Sequence, residues 1–194
     1  MLSHTLAPFL AEPRIVQIVV VLDSETAAAP PAWLTTLDAR VSRVTGGAER
    51  GDSVRAGLEI VQEDVDVVLV HDAARPLVSR RLIVRTMEAA ALGACVVAAL
   101  PVTDTIQEVD AERRVVATPD RRRLWMAQTP QAFPRTVLVE AYAWAASQGI
   151  TATDDAALVV RFGEAVRVLE GESGNIKITT ETDLAYAEYL LARG

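Results

Sequence analysis

The chain has 194 residues, of which 51% are hydrophobic and 5% aromatic, and it carries a formal charge of −7. This length favours one domain with a substantial core, and the acidic balance argues against the clustered Lys and Arg of a broad nucleic-acid footprint, though a local basic pocket can still hold a small anion. No apolar run reaches the length of a membrane span, no signal peptide is visible, and the lone Cys95 makes no internal disulfide, so the sequence reads as cytosolic with no membrane partner.

Taken in chain order, residues 15–22 are apolar except for Gln17 and predict a buried strand. Residues 27–31 read as a surface loop, and 41–44 as a short strand before the Gly46-Gly47 turn. Residues 52–61 have helical spacing, with Val54, Leu58 and Val61 on one face. The run Val67-Val68-Leu69-Val70 predicts a buried strand that breaks off into His71-Asp72-Ala73-Ala74-Arg75-Pro76. A helix near 79–91 and a strand over 94–100 follow, with Cys95 in that strand as a buried, inert thiol. Residues 105–109 and 114–117 predict two strands of a polar hairpin with little to bury, and so a projecting arm. Residues 124–128 return to the sheet. A helix spans 134–147 with Pro134 in its first turn, and Thr153-Asp154-Asp155 can cap a further helix through Val160. Residues 166–169 and 176–178 read as short strands, and Thr180-x-x-Asp183 opens the last helix in the manner of a capping box. Alternating strands and helices imply an α/β sandwich with a mainly parallel sheet.

Ligands in open α/β sheets bind outside the carboxyl ends of the strands. Asp72 and Arg75, just past a predicted strand, stand where a site is expected. The string VLVHDAARP resembles a motif of the cytidylyltransferases that join CTP to 2-C-methyl-D-erythritol 4-phosphate. Further blocks resemble that family in the family's order: Gly46-Gly47-Ala48-Glu49-Arg50-Gly51-Asp52-Ser53-Val54, Pro101 to Thr105, Asp120-Arg121, Leu124 to Gln131, Thr153 to Ala156, and Asn175 to Thr179. Together they cover nearly the whole chain.

The resemblance implies a Rossmann-like nucleotidyltransferase sandwich, a single domain over 1–194 whose arm, 105–117, builds a homodimer. It implies CTP, a sugar-alcohol phosphate and Mg2+ as partners, and no nucleic acid. It marks Arg121 and Lys177 as catalytic, acting on the sugar phosphate. It marks Asp72, Arg75, Thr105 and Thr129 as substrate contacts, and Gly47, Ser53 and again Asp72 as nucleotide contacts. Read from the residues alone, Arg121-Arg122-Arg123 is a solvated basic run, Lys177 an outward-facing strand residue and Asp72 the cap of a turn. Ribitol 5-phosphate is the alternative acceptor, and a non-catalytic dimeric remnant the alternative class. The family opens with a strand and a Gly-rich triphosphate loop, whereas Met1 to Leu6 resembles the helix after that loop. The expectation is that the chain as written binds CTP poorly and transfers little.

Overall fold

In this computed structural model residues 1–151 and 154–193 are described, and Thr153, expected to help cap a helix, lies outside them. Helix α1 (Leu2–Leu10) leads to strand β1 (Ile18–Leu22), the short helices α2 (Ser24–Ala28) and α3 (Ala32–Thr35), strand β2 (Val41–Thr45) and helix α4 (Arg50–Leu58). Strand β3 (Val67–Val70), helix α5 (Arg80–Ala91) and strand β4 (Cys95–Pro101) come next. The arm strands β5 (Glu108–Val109) and β6 (Val115–Ala117) are followed by a single 3-10 turn at Arg121–Arg123 and strand β7 (Trp125–Pro134). Helices α6 (Arg135–Ser147) and α7 (Asp155–Phe162), strand β8 (Val166–Glu170) and helix α8 (Glu181–Leu191) complete the chain.

The main sheet has the order β3-β7-β4-β8, with β4 and β8 parallel and β7 antiparallel to both of its neighbours. Strands β1 and β2 form a separate parallel pair. Two links fix the direction of that pair relative to β3. The Gln17 side chain, before β1, bonds Ile60 O and Gln62 N, which precede β3. At the other end Gly46 N bonds Leu22 O, and Arg50, the first residue of α4, reaches Asp72 just beyond β3. All the long strands therefore run one way except β7, and the fold is α/β with a mainly parallel strand direction.

Successive residues of a strand face opposite ways, and the core divides accordingly. Val97 and Phe133 pack with Leu138, Ala141, Tyr142, Leu158 and Val159 of α6 and α7. Ala98 turns to the other side, with Phe9 of α1 and Leu82 and Ile83 of α5. Helix ends carry the expected chemistry. Ser79 accepts from Leu82 N, Asp154 accepts from Ala157 N, and Thr180 and Asp183 form a reciprocal capping box. Helix α7 stops at Gly163, whose φ of +113° a side-chain-bearing residue rarely adopts.

Four expectations need correction. Strand β1 starts at Ile18 and not Ile15, because Ile15 N closes a turn on Glu12 O and Gln17 is held sideways by the 60–62 segment. The expected 27–31 loop is helical at its start, because the short helix α2, capped by Asp23 through Thr26 N, takes in Ala27 and Ala28. Helix α4 is shorter than 52–61 at its end and begins earlier, at Arg50. Residues 176–178 form no strand: Ile178 N bonds Ala74 O of the loop after β3, and Asn175 turns inward. The arm projects as expected, with Val109, Val115 and Val116 about half exposed, although its paired segments are shorter than 105–109 and 114–117.

Phe133 is fully buried near the end of β7. Phe133→Ala is expected to lower the unfolding free energy by about 3–5 kcal/mol, read from the urea midpoint.

Candidate functional site

The site forms where β3 ends. The Asp72 carboxylate meets three cations from three parts of the chain: Lys177 Nζ at 3.0 Å, Arg50 Nε at 3.5 Å and Arg75 Nε at 3.9 Å. Burial alone favours the neutral acid, but the hydrogen bond and charge of Lys177, with the charges of Arg50 and Arg75, outweigh it and hold the pKa below the usual aspartate range. Asp72 is therefore an anchored anion.

The loop that carries it is pinned from beneath by β7. His71 Nε2 lies 3.1 Å from Arg75 O, which can only accept, so Nε2 bears the proton and Nδ1 is the acceptor. Thr129 Oγ1 donates to that Nδ1 at 2.9 Å and itself accepts from Asp72 N at 3.0 Å. The expected substrate contact Thr129 is thus buried, with its hydroxyl spent on orienting Asp72 and His71. Against Phe9 and shielded from water, His71 is driven by burial to a pKa of about 4.

Arg75 also faces inward. Its Nη1 donates to Asn175 O at 2.9 Å and Nη2 to Ala127 O at 3.3 Å. Burial lowers its pKa against the pull of Asp72. Asn175 is fully buried and donates to Thr129 O at 2.7 Å, while Gln128 donates to Glu172 O and accepts from Glu172 N. These bonds replace the expected strand at 176–178 and present Lys177, whose side chain is 45% exposed, at the rim.

Arg50 joins the Gly46-Gly47 turn to this cluster. Its Nη2 donates to Asp155 at 2.7 Å. Asp155 is fully buried and accepts a second bond, at 2.6 Å, from the Tyr142 hydroxyl. Burial opposes the charge on Arg50, but Asp155 and Asp72 prevail and raise its pKa. Arg50 Nη1 and Arg75 Nε are buried donors without a hydrogen-bond partner among the described residues. Gly47 and Ser53 flank Arg50. A Cβ on Gly47 would lie 2.3 Å from Asp52 Cβ, and one on Gly46 would lie 2.6 Å from Ser53 Oγ, so the turn closes tightly on α4. Sequence reasoning did not single out Arg50, Asp155, Tyr142 or Asn175 as site residues. Arg50, Asp155 and Asn175 lie within the blocks that resemble the family, whereas Tyr142 lies outside them; of the doubled Asp154-Asp155 one caps α7 and the other is buried.

The structure brings Asp72, Arg75, Thr129 and Lys177 together, and reaches Gly47 and Ser53 through Arg50. It does not bring in Thr105 or Arg121. Thr105 is exposed near the foot of the arm, and Arg121 donates to Thr103 O at 2.6 Å.

The family model for 2-C-methyl-D-erythritol 4-phosphate cytidylyltransferase matches residues 1–193. A cytidylyltransferase of that name from Rhodococcus jostii is 45% identical over 195 residues, covering 100% of this chain and 83% of its own length. Another from Symbiobacterium thermophilum is 50% identical over 153 residues, which is 78% of this chain and 65% of that relative. In this match and others like it the chain spans about two thirds of the relative's length. The crystal structure of 2-C-methyl-D-erythritol 4-phosphate cytidylyltransferase from Thermus thermophilus superposes with a TM-score of 0.85 at 39% identity, covering 100% of this chain and 89% of that one. That of 4-diphosphocytidyl-2C-methyl-D-erythritol synthase from Anaerococcus prevotii superposes with a TM-score of 0.89 at 30% identity, covering 98% and 85%.

His71 is neutral in the fold down to a pKa of about 4, whereas the unfolded chain takes up that proton near 6.5. Between those values the unfolded state binds more protons, so stability falls as pH drops. A loss of about 2–3 kcal/mol across this window is expected, and His71→Gln should flatten it; both are read from urea unfolding at a series of pH values.

Proposed function

The chain belongs to the 2-C-methyl-D-erythritol 4-phosphate cytidylyltransferase family, and from that premise we propose that it transfers CMP from CTP to 2-C-methyl-D-erythritol 4-phosphate, a cytoplasmic step of isoprenoid-precursor synthesis. A phosphate oxygen of the sugar alcohol attacks the α-phosphorus of CTP. The new P–O bond forms as the bond to the β-phosphate breaks, and pyrophosphate leaves. Both reactants are anions, so the protein's task is to offset their repulsion and align the attack.

The observation that carries this reading is the cation cluster around Asp72. Lys177 stands half-exposed against an ionised partner, which fixes its ammonium without covering it. Such a group suits the phosphate of the sugar alcohol. The unpartnered donors Arg50 Nη1 and Arg75 Nε support an anionic ligand at the same place. Arg75 and Thr129 serve by holding the loop, and Gly47 and Ser53 line the side assigned to cytidine. Among the described residues no group of three or more His, Cys, Asp or Glu side chains converges to hold a metal. Mg2+ needs no such group, because it is usually held by one or two carboxylates together with substrate phosphates. Asp72 is the carboxylate that would meet it, and the bound ion would neutralise triphosphate charge.

Residues 1–194 make one domain in this reading, and the arm over 105–117 makes a homodimer. The half-exposed valines of the arm support this, because a partner would cover them. Arg121 and Thr105, near the arm's foot, then serve the sugar phosphate of the partner's site.

Pyrophosphate release is measured with CTP and each sugar phosphate, on residues 1–194 and on the same chain extended at its N-terminus by a strand and a Gly-rich loop. Release selective for the methylerythritol phosphate in the extended chain is expected. Selectivity for ribitol 5-phosphate would change the acceptor, and no release with either would overturn the reading. In the active form Lys177→Ala or Arg121→Ala should lower turnover by roughly 10²–10³. Mixed dimers of the two variants should regain part of it, as a site shared between subunits requires.

A further inference from the structure

A guanidinium and a carboxylate have matched spacing and frequently meet through two parallel N–H···O bonds. Arg50 and Asp155 meet through one. Arg50 Nη2 donates to Asp155 Oδ2 at 2.7 Å, while the other oxygen, Oδ1, accepts from the Tyr142 hydroxyl at 2.6 Å. Arg50 Nε is turned to Asp72, 3.5 Å away, and Nη1 is buried with no hydrogen-bond partner among the described residues.

A buried N–H without an acceptor is unfavourable. The remedy is close by, because a guanidinium that already holds Oδ2 through Nη2 can close a fork by bringing Nη1 to Oδ1. The fork is not closed because Oδ1 is taken. Asp155 is fully buried, and Arg50 and Tyr142 are the only hydrogen-bond donors to its carboxylate among the described residues. Both ends of the Tyr142 bond are fixed. The Tyr142 ring packs in the core with Leu138, Ala141 and Leu158. Its burial, with the charge of Asp155 beside it, pushes the hydroxyl pKa well above the ordinary tyrosine value, so the proton stays and the hydroxyl always donates. Asp155 is held on both sides in sequence, since Asp154 accepts from Ala157 N and Gln131 accepts from Ala156 N.

We propose that Tyr142 is a positioning residue: by occupying one oxygen of Asp155, its hydroxyl keeps Arg50 from closing a two-bond fork and so holds Nη1 open for an anionic ligand. The geometry stands by itself. The identity of the anion, a phosphate group of CTP, rests on the proposed transfer, because Arg50 opens α4 beside the Gly46-Gly47 turn. Without the hydroxyl, Oδ1 would be a bare buried oxygen, and Arg50, already bonded to the same carboxylate, would fill it with Nη1. The fork would spare the fold and deprive the ligand of a donor.

The test is Tyr142→Phe, which keeps the ring and removes only the oxygen. In residues 1–194 with 15N-labelled arginine, the Nη signals of Arg50 are assigned by their loss in Arg50→Lys and report the fork directly. In Tyr142→Phe the Nη1 protons should move downfield and exchange with water about tenfold more slowly, the weight of one hydrogen bond to a charged group. The urea midpoint should change little. Tyr142→Met, which also lacks the hydroxyl, should move the Arg50 signals the same way. In the N-terminally extended chain Tyr142→Phe should raise the KM for CTP about tenfold and leave that for the sugar phosphate nearly unchanged. In an Arg50→Lys background, where no fork can form, it should leave the KM for CTP where it was. Arg50 signals that do not move, a fall in the urea midpoint without such movement, or an equal rise in both KM values would overturn the proposal. If the extended chain transfers nothing, the proposed reaction falls, while the Arg50 signals still decide the role of Tyr142.

Discussion

One carboxylate organises the working end of this molecule. Asp72 is half sheltered from water, and a sheltered charge persists only if it is paired and hydrogen-bonded. The chain supplies that pairing from distant segments: Arg50 from the start of α4, Arg75 from the same loop, and Lys177 from the segment after β8. Each cation then needs its own anchor. Arg50 takes Asp155, which takes Tyr142. Arg75 takes the carbonyls of Asn175 and Ala127. The network therefore ties α4, α6, α7, β7 and the 175–178 loop to one point, and it bridges two sheets that share no strand-to-strand hydrogen bonds.

The local balance of charge differs from that of the whole protein. Arg50, Arg75 and Lys177 face Asp72 and Asp155, three cations against two anions, on a chain whose formal charge is −7. A positive pocket on an acidic body attracts small anions while the outer surface repels polyanions such as nucleic acid. The polar anchors beneath the pocket are neutral at physiological pH. His71 stays uncharged against Phe9 and so adds no positive charge there.

Much of this was legible in sequence where a residue's role is local. The Val-rich strands, the Ser79 and Asp154 caps and the Thr180-Asp183 box are set by neighbours within a few positions. Asp72 and Arg75 stood out because ligands in an α/β sheet bind beyond the strand ends, although from the residues alone Asp72 reads as the cap of a turn. The misreadings come from long-range partners. Ile176 and Ile178 alternate like a strand, but Asn175 finds Thr129 O, 46 residues away, and the segment bends to follow. Thr129 was expected to contact substrate, and nothing nearby in the sequence shows that its hydroxyl also meets His71 Nδ1 and Asp72 N. Arg50 stood in a block that resembles the family but with no role attached, and only the fold sets Asp155, 105 residues on, beside it.

Strand β7 links two regions that the chain otherwise keeps apart. Its ten residues run without a break from Trp125, next to the foot of the arm, through Thr129 to Pro134 at the start of α6. It pairs with β3 over 131–134 and with β4 on either side of a register shift, at 125–127 and at 131–132, so residues 128–130 bulge free of both ladders. Thr129 sits in that bulge, where its hydroxyl meets His71 Nδ1 and Asp72 N and its carbonyl accepts from Asn175. An irregular segment between two ladder-paired ends, held by side-chain bonds, thus does the aiming of the carboxylate.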